Sequence, residues 1–181
     1  MRSVWKARKR LREHVDKTPL IASPVLSEKS GVPVYLKLET MQPTRSFKLR
    51  GAFNFLSALN EEEKKRGVSA FSTGNHGLAV AYAAKQMNIR ATIFVSESVT
   101  EAKKEALRGS GAELVVIGKS QDEAGAACQK QSRAKGLTIV PPFDHPEVIA
   151  GQGTIALELL EDLPELETVV AGLSGAGYWQ G

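Results

Sequence analysis

"VSAFSTGNHGLAVAYAAKQMNIRATIFV", residues 68–95, sets two short apolar runs, VSAF and ATIFV, on either side of a turn, STGNHG, and a helix-like stretch, HGLAVAYAAKQM. Strand, turn, apolar helix and strand in this order make a βαβ unit, whose strands run parallel because a helix rather than a hairpin joins them. The pattern continues downstream. TEAKKEALRG predicts a helix, ELVVI a strand, a further helix ends near Gly136, and LTIV predicts another strand. This alternation predicts an α/β fold with a doubly wound parallel sheet, covered by helices on both faces.

Upstream, VYLKLE at Val34 to Glu39 alternates as a half-buried strand would, a loop carries Pro43, and a helix is expected from about Ser46 to Leu59. In EEEKKRG three acids precede three bases and a glycine follows, which suits a short helix whose charges oppose its macrodipole. Beyond the alternating region PPFDHPEV breaks the pattern, IAGQGTIALELLEDL predicts a long helix, and ETVVAGLS predicts a strand leading into GAGYWQG. The expected division is a small α/β domain over residues 52–142, inserted in a large α/β domain that residues 1–51 and 143–181 form incompletely. Exposed sheet surface on that incomplete domain would favour a homo-oligomer.

A 181-residue chain with 42% hydrophobic and 24% charged residues can bury a real core. No apolar run approaches the roughly 20 residues of a spanning helix, and no secretory signal follows the basic start, so neither a membrane nor export is indicated and a cytoplasmic location is expected. The net charge of +4 is concentrated in KARKRLR, Lys6 to Arg12. Val4, Ala7, Leu11 and Val15 fall at helical spacing around it, so it reads as an amphipathic helix with a solvated basic face, not as a nucleic-acid arm or a mitochondrial presequence. The single cysteine, Cys128, excludes a disulfide framework and a thiolate zinc site, and no metal site is expected.

Ligands of α/β sheets bind beyond the carboxyl ends of the strands, which directs attention to the turns that follow them. In STGNHG, Ser72 to Gly77, Asn75 is a good N-cap and the backbone N–H groups can receive an anion. A simple cap leaves the cluster of Ser72, Thr73, Asn75 and His76 unexplained. SGAG, Ser174 to Gly177, offers a nest of N–H groups suited to phosphate. GQGTIA, Gly151 to Ala156, fits the dinucleotide fingerprint and makes a nicotinamide-dependent oxidoreductase the distant alternative, but no strand runs directly into its glycines. In PTRSFKLRGA, Pro43 to Ala52, Lys48 follows Phe47 and precedes an Arg-Gly pair without amphipathic period. A solvated lysine needs no such company.

Taken together, KLETMQPTRSFKLRGA, STGNHG, HPEVIAGQGTIALE and the strand with SGAG resemble, in order and spacing, the fold type II pyridoxal-phosphate enzymes, and among them the threonine/serine dehydratase group. The resemblance covers essentially the whole chain and implies an N-terminal portion of such an enzyme, with pyridoxal 5'-phosphate as cofactor. It implies that Lys48 forms the Schiff base with the cofactor, packed beside Phe47, and that Asn75 bonds the ring hydroxyl. Ser72, Thr73 and His76 would line the pocket for the substrate carboxylate, and Ser174, Gly175, Ala176 and Gly177 would cradle the phosphate. The chemistry implied is β-elimination from a small amino-acid substrate, threonine or serine, in which Lys48 takes the Cα proton and a 2-oxo acid and ammonia result. Alternatives are a dehydratase of another hydroxylated amino acid, as in hydroxyectoine breakdown, or a serine-type racemase in which Thr73 acts as a second acid/base. Arg45 stands where the group often has glycine, Ala176 interrupts the glycine run, and Tyr178 and Trp179 are bulkier than the pattern expects.

Overall fold

The computed structural model describes residues 1–72 and 74–172. The expectations placed on Thr73, on Ser174 to Gly177 and on Tyr178 and Trp179 lie outside them.

Local signals set most element ends. Helix α1 (Arg2–Leu11) buries Val4, Ala7 and Leu11 on one stripe, as their spacing predicts. Strand β1 (Leu20–Ala22) is followed by helix α2 (Pro24–Ser30), which starts on a Ser23 cap with proline in its first turn and stops at Gly31 in the left-handed region. Strand β2 (Tyr35–Lys37) pairs antiparallel with β1, and a single 3-10 turn covers Glu39–Met41. Helix α3 (Lys48–Ala58) begins at the lysine itself. Helix α4 (Glu61–Arg66) opens on a capping box in which Asn60 and Glu63 exchange side-chain-to-backbone bonds, each 2.9 Å.

Strands β3 (Val68–Phe71), β4 (Ala91–Val95), β5 (Glu113–Val116) and β6 (Thr138–Ile139) form an all-parallel sheet in the order β5-β4-β3-β6. Helices α5 (Asn75–Gln86), α6 (Glu101–Gly109) and α7 (Gln121–Lys135) make the crossovers. The order explains the winding. Steps from β3 to β4 to β5 move one way, so right-handed crossovers put α5 and α6 on one face; the return past β3 to β6 puts α7 on the other. Side chains agree. Ile93 lies against the start of α5, whereas Ser69 Oγ meets Ser132 Oγ of α7 at 2.7 Å on the opposite face. The expected doubly wound parallel sheet is therefore present.

Helix α8 (Pro146–Asp162) packs on α3, and α1 packs on both. The apolar core runs continuously from Leu11 through Leu49, Phe53 and Leu56 of α3 into the sheet and on to Val148. Burying each of these larger side chains contributes about 1.5–3 kcal/mol. The GQGTIA glycines lie inside α8, with no strand-to-helix turn, which removes the structural basis of the dinucleotide alternative. Gly151 instead lets two helices touch: a Cβ there would sit 2.6 Å from the Arg50 carbonyl oxygen and 2.8 Å from Gly51 Cα.

Two expectations are corrected. β2 is shorter than Val34 to Glu39 and is not half-buried in alternation, since Tyr35 and Leu36 are both exposed; among the described strands β1 is its one partner. The described part of ETVVAGLS, Glu167 to Gly172, contains no strand, and Val170 is 92% exposed. A strand exists only where a neighbour takes up its N–H and C=O groups, and no described strand lies beside it.

The α3–α8 contact generates a test. Gly151→Ala should lower unfolding stability by about 2–3 kcal/mol, because the methyl meets backbone that cannot turn aside. Urea denaturation, read as a shift in midpoint, checks this; a loss within error of zero would show that the helices can separate freely.

Candidate active site at the sheet's switch point

Strand order reverses between β3 and β6, and the crevice beyond the carboxyl ends of these two strands is where a doubly wound sheet offers a ligand site. The turn after β3 carries Ser72, Gly74, Asn75 and His76; the segment after β6 carries Val140, Pro142 and Phe143. Lys48 joins them from α3. Its Nζ donates to the Pro142 carbonyl at 2.7 Å and stands 5.2 Å from the Phe47 ring centroid and 6.0 Å from that of Phe143. Burial pulls the pKa of this amine below the ordinary lysine value. The sequence expectation that Lys48 is a sheltered amine beside Phe47 matches this geometry.

Asn75 corrects a detail. It is the first residue of α5 and not its cap, which is Gly74, and no side chain caps the helix. Gly74 takes an extended, non-helical conformation that begins the helix without help, leaving the exposed Asn75 side chain clear of capping duty. Ser72 is half-buried, and its Oγ accepts the Gly74 N–H at 3.3 Å, which tightens the turn. Gly77 permits the close approach of α5 to β3, since a Cβ there would lie 2.6 Å from the Ser72 carbonyl oxygen.

His76 has its side chain turned into the protein. It is 5% exposed, and its Nε2 lies 3.0 Å from the Val140 carbonyl oxygen, which can only accept. Burial first, and the nearby Lys48 charge to a smaller degree, push its pKa down to about 4. A neutral ring that donates through Nε2 keeps only an acceptor at Nδ1, which a carboxylate repels. His76 therefore braces the end of β6 against the α5 turn. Of the residues singled out in the sequence, Lys48, Phe47, Ser72, Asn75 and His76 are brought to this end of the sheet.

Residues that sequence reasoning passed over complete the setting. The Pro142 acceptor is a backbone atom and leaves no signature beyond the PPF break. Arg50 is buried, and all five of its N–H groups are used: Nε and Nη2 on Glu39 at 2.9 and 2.7 Å, Nη1 and Nη2 on Glu158 at 2.6 and 2.9 Å, and Nη1 on Thr154 at 3.2 Å. Lys37 adds a 2.7 Å ion pair to Glu158. Arg45 has φ 55°, so the position where glycine is frequent in the resembled group is indeed left-handed backbone, which costs a non-glycine residue about 1–2 kcal/mol.

A sheltered amine with lowered basicity, aromatic rings on its flank and an uncommitted asparagine nearby fit an aromatic aldehyde cofactor such as pyridoxal phosphate. Among the described residues no group of histidines, cysteines or carboxylates could hold a metal, and no helix is long and apolar enough to cross a membrane.

Comparison with known proteins points the same way. The profile described as "Pyridoxal-phosphate dependent enzyme" matches residues 11–181. An L-threonine ammonia-lyase from Thermotoga maritima is 44% identical over 100% of this chain and 45% of its own length. The L-threo-3-hydroxyaspartate ammonia-lyase of Saccharomyces cerevisiae is 39% identical over 98% of this chain and 55% of its own. The solved structure of maize serine racemase superimposes with a TM-score of 0.87 at 32% identity, covering 91% of this chain and 50% of that one. The chain thus spans about half the length of the relatives it matches.

The buried imidazole makes stability depend on pH. His76 binds a proton near pH 6.5 when unfolded and near 4 when folded. Its contribution is fully present above about pH 6.5 and is lost as pH falls toward about 4, on the order of 3 kcal/mol in all. Unfolding free energies measured across this range should fall on acidification, and less steeply in His76→Gln. Equal slopes in the two proteins would show that this histidine is not held neutral.

Proposed function

This chain belongs to the pyridoxal-phosphate dependent enzyme family, and from that premise we propose that its whole protein is an ammonia-lyase, converting threonine or serine to a 2-oxo acid and ammonia. The observation that carries the proposal is Lys48, held at the β3–β6 switch point with an amine that burial has made less basic. Bound there, pyridoxal phosphate would supply an electron-withdrawing ring that stabilises negative charge developing at the substrate Cα.

The chain's own residues would do the rest. Lys48 would hold the cofactor through its ε-amine and, once displaced, carry the proton removed from Cα. Its lowered basicity serves both tasks, since only the neutral amine attacks a carbonyl carbon or accepts a proton. Phe47 and Phe143 limit water around the amine. Asn75 would bond the ring hydroxyl, Ser72 and Thr73 the substrate carboxylate through the exposed start of α5, and Ser174, Gly175, Ala176 and Gly177 the phosphate. His76 would act indirectly, by fixing β6 and so the Pro142 carbonyl.

The names of the relatives support β-hydroxy amino acids as the substrate class and keep a second reading in view. Likeness to a hydroxyaspartate ammonia-lyase and to a serine racemase supports another hydroxylated substrate, or racemisation with the Thr73 hydroxyl as second acid/base. The fitting organisation is residues 52–142 as a small domain, with residues 1–51 and 143–181 contributing to a large one. The exposed apolar side chains of Ile21, Val25, Val32 and Tyr35 support a large domain that other chain segments cover. A cytoplasmic homo-oligomer acting on small molecules, without nucleic-acid or membrane partners, is the setting this reading carries.

Two measurements test it. Adding pyridoxal phosphate to the whole protein should produce a new long-wavelength absorbance band, absent in Lys48→Ala, with turnover reduced at least about a thousandfold; a band that persists unchanged in the variant removes Lys48 from its role. Release of 2-oxo acid should be seen with threonine or serine. If hydroxyaspartate alone reacts, the substrate moves to that class, and inversion of serine without oxo-acid release favours racemisation.

A further inference from the structure

We infer that the amino-terminal end of the parallel sheet, opposite the Lys48 crevice, holds a second binding site, one for a small phosphate-bearing anion. A groove of about 650 Å³ opens there, lined by Arg66, Arg90, Thr92, Glu113, Lys135 and Leu137, with Ala91 and Gly111 completing it. These residues precede or begin β3, β4, β5 and β6, so one groove collects the entry points of the whole sheet. Its volume falls within the range of small-molecule sites, roughly 300–1,000 Å³.

Three cations converge on it. Among the described residues none of Arg66, Arg90 and Lys135 forms an ion pair, although the exposed Lys17 and Lys65 do. The one acid of the groove, Glu113, accepts the Thr92 hydroxyl at 3.0 Å. Both arginines are seated by backbone. Arg66 Nε donates to the Gly136 carbonyl at 2.9 Å, and Arg90 Nη2 to the carbonyls of Lys65 and Arg66 at 3.1 and 3.4 Å. Glycine makes room for both: a Cβ at Gly136 would lie 3.1 Å from Arg66 Cδ, and one at Gly67 2.8 Å from the Arg90 carbonyl oxygen.

A competing account is that these cations only offset the carbonyl ends of α4 and α7, which terminate here. It explains the Arg66 Nε and Arg90 Nη2 bonds. It leaves over the terminal nitrogens of Arg66 and the Lys135 ammonium, charges that line one concavity. Guanidinium forks beside an ammonium match the several oxygens of a phosphate better than the two of a carboxylate. Apolar Ala91 and Leu137 give the organic part of an ester a surface to rest on.

Titration with inorganic phosphate and, separately, with glycerol phosphate, followed by amide NMR, tests the site. Phosphate also suits the Lys48 crevice, so only shifts at Gly67, Gly111 and Gly136 count, and those at Gly74 to Gly77 report the other site. Saturable shifts at the three glycines are expected, with a dissociation constant of about 1 mM or below for at least one probe. Lys135→Gln, which breaks no described hydrogen bond, should weaken binding about fivefold or more, and Arg66→Gln likewise. Tighter binding of glycerol phosphate assigns the site to an ester, and equal binding assigns it to the free anion. Shifts that do not saturate, or binding that both variants leave unchanged, overturn the inference.

Discussion

The placement of Lys48 depends on the buried guanidinium of Arg50. Helix α3 starts without a side-chain cap at Phe47 and without an acid in its first turn, and the 3.3 Å bond from the Lys48 N–H to Ser46 Oγ is long, so its own end provides little to fix where the lysine sits. Arg50, two residues on, grips Glu39 from the turn after β2 and Glu158 from α8, two residues at a time through paired N–H groups. Burial works against its charge, but these bonds outweigh burial and raise its pKa. Such a cluster need not make the fold more stable than an apolar one would, since removing charges from water offsets much of the attraction. What it does is exclude alternatives. Any slide of α3 along α8 leaves a buried charge unpaired, at a cost of about 3–5 kcal/mol.

The same crossing explains why a glycine pair sits beside the charges. Gly51 and Gly151 bring the axes of α3 and α8 close enough for short side-chain contacts between them. One turn along α3, the buried Asn54 donates to the Glu147 carbonyl and carboxylate at 2.6 and 2.9 Å. Arg10 of α1 closes on Glu147 at 2.6 Å. The basic segment that raised the nucleic-acid question is thus partly used inside the molecule, with Arg8 paired to Glu161 and Arg10 to Glu147.

Legibility followed the range of the interaction that decides each feature. The alternation from Val68 to Val140 was readable because the run of apolar and polar residues is local to each element; in α7 the cap Ser120 and the stop glycine Gly136 are local as well. Lys48 and the STGNHG turn stood out as clusters without a structural reason, and the positive φ at Arg45 agrees with the glycine expected there. Long-range features were not legible. Arg50 meets a residue 11 positions before it and another 108 after it, and no local pattern announces either. The described part of ETVVAGLS, Glu167 to Gly172, forms no strand for a related reason: its residues suit a strand, but pairing is a property of the neighbour. The 3.0 Å contact of His76 to the Val140 carbonyl was likewise not legible, since the partner is a backbone atom 64 positions away.

These constraints also decide the electrostatics of the crevice. Lys48 is the first residue of α3, at the positive end of the helix dipole, and no acid in that turn offsets it. The start of α5 likewise carries no acid. Both helix ends therefore add to burial in disfavouring an ammonium at Lys48, while they favour anionic groups arriving from outside. Arg50 does not add a large positive field, because Glu39 and Glu158 neutralise it, and His76 stays uncharged through the neutral pH range. If either were an unpaired cation, the lysine would lose its proton more readily, but the field would be set by whatever conformation those side chains adopted. Burial lowers the amine's basicity, and the backbone dipoles of the two helix starts, among the least mobile charges a protein has, act in the same direction.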